Sequence, residues 1–390
     1  MLEYRHAQRP LTENVVKRTT CLLIAAAWFA SGPAFAAHHE TSLKDAYADA
    51  FRIGAALNRS QIMGEDAGAL SLTTRQFNSL TAENVMKWER IEPVEGQFDW
   101  TAADALVAFA EAHGMEVAGH VLVWHQQTPD WVFQGADGQP ASRELLLERM
   151  RNHIAAVVGR YKGRVHAWEA VNEALNEDGT LRRTPWLEII GEDYLQKAFE
   201  YARAADPDAH LYYNDYGLHR PEKRAGAVRL ITALQDAGVR VDGVGIQGHF
   251  GLDNPRDLQD FEDSITAFAA LGAQVHITEL DVSVLPFPAQ QDWGADLDVD
   301  LALDAKYNPF ADGLPAAVEQ QQIDQYTGLF RIMLAHRDVI GRVTFWGLAD
   351  GDSWKNGWPM RGRTDYPLLF DRERRPKPVF HAVTGLTAER

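Results

Sequence analysis

Trp168-Glu-Ala-Val-Asn-Glu-Ala-Leu175 opens as a buried strand and closes on an amide and a carboxylate, Asn172 and Glu173. Val165, just upstream, extends its apolar part with Trp168 and Val171. An unpaired buried carboxylate is costly, so polar groups at the end of such a run are not there for packing. A second stretch has the same form, Val275-His-Ile-Thr-Glu-Leu-Asp281, with Glu279 near its end. Around these two, short apolar runs alternate with longer amphipathic segments. The runs are Ile53–Leu57, Val85–Trp88, Val117–Trp124, Val165–Val171, His210–Tyr213, Gly243–Phe250, Val275–Val282 and Val343–Leu348. Eight strands alternating with helices point to an α/β fold, a closed (β/α)8 TIM barrel in a single domain. A doubly wound sheet is the rival. No Gly-rich phosphate loop follows the first run, which weighs against it.

The helical segments carry readable ends. Asp99 and Thr101 can cap a helix that stops at Gly114. Ser142 precedes a segment with Leu146, Met150, Ile154, Val157 and Val158 along one face, ended near Gly163. Asn254-Pro255 reads as a cap followed by proline at the first helical position, with Leu258, Phe261, Ile265 and Phe268 as the buried stripe. Between the seventh strand and its helix lies an insertion, about residues 285–317, holding Asp292, Asp296, Asp298, Asp300 and Asp304. Their spacing fits no calcium loop, so a solvated acidic loop is expected rather than a cation site.

The N-terminus reads as a secretory signal peptide over residues 1–36. Lys17-Arg18 precedes the apolar run Cys21–Ala30, and Ala34-Phe35-Ala36 ends it with a small-x-small cleavage site. The run is too short to span a membrane. Cleavage near Ala36 would leave residues 37–390 as the barrel domain, secreted or periplasmic, with no membrane attachment. It would also remove Cys21, the single cysteine, and so any disulfide or thiol chemistry. The net charge of −17 argues against a nucleic-acid partner. Eleven Trp and eleven Tyr are many: core and barrel filling is one reading, flat faces for sugar rings the other, and position has to decide between them.

In a closed parallel barrel, functional groups sit at the C-terminal ends of the strands. Polar and aromatic residues cluster at those ends here. Glu83, Asn84 and Lys87 go with the second strand, and His120, Trp124, His125 and Gln127 with the third. Asn172 and Glu173 end the fourth, and Asn214-Asp215-Tyr216 the fifth. Gln247 and His249, two apart, share a face of the sixth. Glu279 and Asp281 belong to the seventh, Trp346 to the eighth, and Trp354 to the loop beyond. Two carboxyls at two strand ends are the minimum equipment for cleaving a glycosidic bond. Strict alternation would put Asn172 and Glu173 on opposite faces, so the strand is expected to bend or end there.

These motifs resemble those of the glycoside hydrolase family 10 endo-β-1,4-xylanases. They read Thr81-Ala-Glu-Asn-Val-Met-Lys-Trp88, Gly119-His-Val-Leu-Val-Trp-His-Gln-Gln127, Val171-Asn-Glu-Ala-Leu175, Asn214-Asp-Tyr216, Gly245-Ile-Gln-Gly-His249, Ile277-Thr-Glu-Leu-Asp281 and Asp350-Gly-Asp-Ser-Trp354. The resemblance covers about residues 45–385. It implies a retaining endo-xylanase with Glu173 as acid/base and Glu279 as nucleophile. Glu83, Asn84, Lys87, His120, Trp124 and Gln127 would bind sugars on the non-reducing side of the cut. Asn172 would contact the reacting sugar's 2-hydroxyl, His249 would hydrogen-bond Glu279, and Tyr216, Gln247, Trp346 and Trp354 would complete the cleft. The expected partners are xylan and xylo-oligosaccharides, with no cofactor, no metal and a monomeric chain. Glu169-Ala170 departs from the family's usual Asp-Val, which bears on the local support of Glu173. A β-glucanase or mannanase on the same barrel, and a carbohydrate-binding barrel without activity, are the alternatives. The intact carboxyl pair argues against the last.

Overall fold

Eight parallel strands close on themselves in the computed structural model, which describes residues 41–254, 256–288, 296 and 299–387. They are β1 (Arg52–Leu57), β2 (Ser79–Ala82), β3 (Glu116–Gly119), β4 (Ala167–Asn172), β5 (His210–Asp215), β6 (Gly243–Ile246), β7 (Gln274–Val282) and β8 (Ile340–Phe345). Each pairs in parallel with the next, and β8 returns to β1. This is the (β/α)8 barrel. The expected leader, Pro255, Asp292 and Asp298 lie outside the described residues.

Two of the three helices follow their sequence signals, while the third begins at Asp257 behind Arg256 rather than at Asn254, whose Oδ1 accepts from Arg256 N at 3.1 Å. Ser142 caps the helix Arg143–Arg160, its Oγ accepting from Leu145 N at 3.2 Å. Leu146, Met150, Ile154, Val157 and Val158 are its buried stripe, as the spacing predicts. Asp99 accepts from Thr101 N at 2.9 Å at the head of Thr101–Ala112. Among the described residues, no helix is long and apolar enough to cross a membrane.

Two strand expectations need correction. The second strand is Ser79–Ala82, not Val85–Trp88. Ser79 and Thr81 are buried polar residues of this short strand, so an apolar run is not its signature. Val85, Met86 and Trp88 bury themselves instead in the loop and short helix that follow. The sixth strand breaks after Ile246, where Gly248 takes φ +83°, and resumes only as His249–Phe250 against β7. Gln247 and His249 therefore do not share a strand face.

The barrel interior is polar beneath its mouth. Thr81, Glu169, Tyr212, Thr278, Arg342 and Thr344 surround a small internal space, all nearly inaccessible. At the barrel wall, Gly119 makes room for Trp168: a Cβ there would lie 2.0 Å from the indole Cε3.

Candidate active site

Both strands that present a key carboxyl gain a residue on their neighbour at or shortly before it. In β4, Glu169 pairs with Tyr212 and Val171 with Tyr213, so Ala170 is extra. The alternation shifts by one there, and Asn172 turns inward beside Asn214. Glu173 follows with φ +56°, a left-handed conformation rare for a residue with a Cβ. This is the bend that lets consecutive residues Asn172 and Glu173 face one cleft. In β7, Ile277 pairs with Val343 and Leu280 with Phe345, three steps against two. Thr278 and Glu279 thus both reach Asn214, Thr278 donating to its Oδ1 at 2.6 Å.

The two carboxyls are joined by a chain of amides. Gln247 Nε2 donates to Glu173 Oε1 at 2.8 Å and to Asn172 Oδ1 at 3.3 Å. Asn214 Nδ2 donates to the same Asn172 oxygen at 3.2 Å and to Glu279 Oε1 at 3.1 Å. Trp124 Nε1 donates to Glu173 Oε2 at 2.9 Å, so this indole holds a carboxyl as well as offering a face. On the far side, His249 Nε2 lies 3.3 Å from Glu279 Oε2 and its Nδ1 3.0 Å from Asp281 Oδ2.

The surroundings push the two carboxyls apart in acidity. Burial, reinforced by the charge of Asp215, raises Glu173 to about 7 against the hydrogen bonds from Gln247 and Trp124. Burial also acts on Glu279, but the hydrogen bond and charge of His249, with Lys87 nearby, carry it below its ordinary value. His249 is disfavoured as a cation by burial, yet Asp281 and Glu279 lift it to about 9, an imidazolium at neutral pH. His120 is held neutral, at about 3, by burial and by Lys87. Its Nδ1 sits 3.0 Å from Glu169 Oε2, a carboxyl that burial raises well above its ordinary value. Below about pH 7 Glu173 therefore holds its proton more readily than Glu279, the division of labour that acid and nucleophile require.

Eleven of the fourteen expected site residues line one cleft of about 790 Å³ at the barrel mouth. Glu83, Asn84 and Gln127 do not line it. Asn84 and Gln127 hold Lys87, whose Nζ donates to them at 2.9 and 2.6 Å. Glu83, half-buried, acts on the Lys87 charge. Trp346 meets His120 edge-on at 5.2 Å. Trp354 stacks on Trp358 at 4.9 Å and donates from Nε1 to Asp281 at 3.1 Å. Trp358, Lys355 and Glu177 also line the cleft and carried no strand-end signal. The Trp354-Lys-Asn-Gly-Trp358 spacing could have pointed to the second indole. Among the described residues, His120, Glu169 and Glu279 are the group that could hold a metal, their ligand atoms within 4.8 Å of one another. Hydrogen bonds inside the protein already engage each of the three. Of the acidic loop, Asp304 pairs with Lys306 at 3.1 Å and Asp300 with Arg361 at 3.2 Å.

A parallel barrel with a proton-bearing and an ionised carboxyl in one cleft is the apparatus of a glycoside hydrolase. Residues 42–386 match the model of glycosyl hydrolase family 10. The chain is 45% identical over 350 residues to endo-1,4-beta-xylanase A of Xylanibacter ruminicola, covering 90% of this chain and 94% of that protein. It is 42% identical to an endo-1,4-beta-xylanase of Geobacillus stearothermophilus over 88% of this chain and 98% of the relative. A solved GH10 endoxylanase retrieved from a sugarcane soil metagenome superposes with a TM-score of 0.84 at 43% identity, over 89% of this chain and all of that one. The chain belongs to glycosyl hydrolase family 10.

Proposed function

We propose that this chain is a retaining endo-β-1,4-xylanase that cleaves internal bonds of xylan by double displacement. The observation that carries this reading is the pair of buried carboxyls in one cleft, linked through Gln247, Asn172 and Asn214, with Glu173 raised to about 7 and Glu279 below its ordinary value. Glu173 protonates the leaving glycosidic oxygen, while Glu279 attacks the anomeric carbon and forms the covalent intermediate. Glu173, then a base, activates water for the second step. Asn172 takes the 2-hydroxyl of the reacting sugar, a role supported by its inward turn between Gln247 and Asn214. Lys87, held by Asn84 and Gln127 and balanced by Glu83, takes the sugars on the non-reducing side together with His120 and Trp124. Tyr216, Trp346 and Trp354 complete the cleft around Gln247 and His249. The xylanase names of the relatives support xylan over glucan or mannan as substrate.

Residues 1–36 form a secretory signal peptide, and residues 37–390 act as a monomeric barrel in the periplasm or medium. The basic–apolar–small pattern supports the first statement. The net charge of −17 supports the absence of a nucleic-acid partner.

Azide rescue tests the roles. In Glu173→Ala, azide needs no general base, so it should restore turnover of dinitrophenyl xylobioside and leave a β-azide. In Glu279→Ala no intermediate forms on the protein, and azide attacks from the vacated face to give the α-azide. Products of opposite stereochemistry, read by NMR, would reverse the assignment. Activity of the wild type on cellulose or mannan exceeding that on xylan would overturn the substrate.

A further inference from the structure

The left-handed turn that aims Glu173 leaves no backbone group unbonded. Glu173 N donates to Asn214 O at 2.9 Å, and Glu173 O accepts from Arg182 Nε at 3.2 Å. Ala174 N donates to the Tyr213 hydroxyl at 3.2 Å, and Ala174 O accepts from Arg182 N at 2.7 Å. Leu175 N donates to Asp215 Oδ2 at 3.3 Å, and Leu175 O accepts from Arg182 Nη2 at 2.9 Å. Two of these partners are themselves coupled, since Tyr213 donates its hydroxyl proton to the same Asp215 oxygen at 2.5 Å.

Behind them stands a lysine with no solvent exposure. Lys223, in the helix Pro221–Asp236 that follows β5, places Nζ 2.9 Å from Asp215 Oδ1 and 3.5 Å from Glu177 Oε1. The same ammonium lies 3.2 Å from the centre of the Tyr216 ring. Lysine is almost never fully buried unless it is paired, and a buried ion pair is weak evidence for stability alone. This one reaches the acid/base turn through a single side chain.

We propose that the buried Asp215–Lys223 pair, with Tyr213, is the positioning device for Glu173: it locks the turn that aims this carboxyl and fixes a negative charge behind it. The inference rests on the reading of Glu173 as the acid/base. The Asp215 charge is, after burial, the largest influence raising Glu173. The other charged groups that face Glu173 are Glu279 from β7, Lys87 from the loop after β2, and Arg182 from the loop after β4. Asp215 in turn faces Lys223, Arg182, Tyr213, Tyr194 and, lower on β4, Glu169. Tyr213 and Tyr194 are raised, first by burial and then by Asp215, and stay neutral.

The test uses Asp215→Asn combined with Lys223→Met, which removes both charges and leaves no ammonium stranded. The amide oxygen that replaces the Asp215 carboxylate would still accept from Leu175 N and the Tyr213 hydroxyl. The basic limb of kcat/KM on xylan should move down by about one pH unit, the scale on which a neighbouring charge acts. A folded double variant with its basic limb at the wild-type pH would overturn the proposal. Tyr213→Phe, which deletes one hydroxyl, tests the turn independently should the double variant fail to fold. Its kcat/KM should drop about tenfold on xylan and stay within about twofold on dinitrophenyl xylobioside, whose leaving group needs no acid. Equal losses on both substrates, or none, would refute a positioning role. Glu173→Gln is the control: if it keeps the basic limb, the acid/base reading itself fails, whereas loss of the limb there with no shift in the other variants fails only this inference.

Discussion

Replacing His249 by glutamine isolates the value of one buried charge, because glutamine keeps a donor toward Glu279 and deletes the cation. The gap between about 9 and the ordinary 6.5 corresponds to a net of about 3 kcal/mol, the attraction of Asp281 and Glu279 less the opposing cost of burial, at roughly 1.4 kcal/mol per pH unit. His249 is raised in the folded state. Its contribution is therefore complete below pH 6.5 and is lost as pH climbs through 9. The stability gap between wild type and His249→Gln, measured by urea denaturation, should be largest near pH 6 and close above about pH 9. Activity should respond differently. Burial is the largest influence on Glu279 and pushes it up, so losing the imidazolium lets burial win. An adjacent opposite charge is worth about 1–3 pH units to a carboxyl. The acid limb of kcat/KM on dinitrophenyl xylobioside should climb accordingly, with a loss of about tenfold near pH 5 and far less at pH 7.5. A folded variant whose acid limb stays at the wild-type pH would refute the claim that His249 keeps Glu279 ionised.

Trp124→Phe keeps an aromatic face and removes the N–H on Glu173, so the basic limb should rise and kcat should fall about tenfold; a pH–rate profile checks both. Trp354→Ala should raise KM for xylotetraose roughly three- to tenfold, the scale of one aromatic stack, with melting temperature following its lost bond to Asp281. Normal affinity with a collapsed melting temperature would make it a structural residue. N-terminal sequencing of the exported protein should begin at Ala37, and a mature chain that retains Cys21 would sink the leader assignment.

The barrel is legible because seven of its eight strands coincide with apolar runs, and eleven of the fourteen expected site residues meet in one cleft. Ser79–Ala82 escapes because a barrel interior that is polar beneath the mouth needs no apolar strand there. Periodicity locates Asn172 and Glu173 but cannot show how both face inward. That depends on an extra residue at Ala170 and a positive φ at Glu173, neither of which changes hydrophobic spacing. Arg182 and Lys223 stay invisible for a related reason. Each reads as an ordinary basic residue in a loop or helix, and only tertiary placement turns one into a carbonyl clamp and the other into a buried counterion. The departure at Glu169 also finds its place, as a buried carboxyl under His120 that burial raises well above its ordinary value.

The positive φ of Glu173 governs how a catalytically silent form of this enzyme should be made for trapping intact oligosaccharide. β-Branched side chains resist left-handed backbone most strongly, so threonine or valine at 173 would distort the segment from Glu173 to Leu175 along with the chemistry. Glycine would accept the conformation freely but loosen it, since it would lack the carboxyl tethered to Trp124 and Gln247. Glutamine keeps the reach and an oxygen for the indole N–H, and its amide cannot serve as the proton donor. A ligand complex solved with that substitution would report the productive pose, whereas one solved with a branched residue would report a displaced loop.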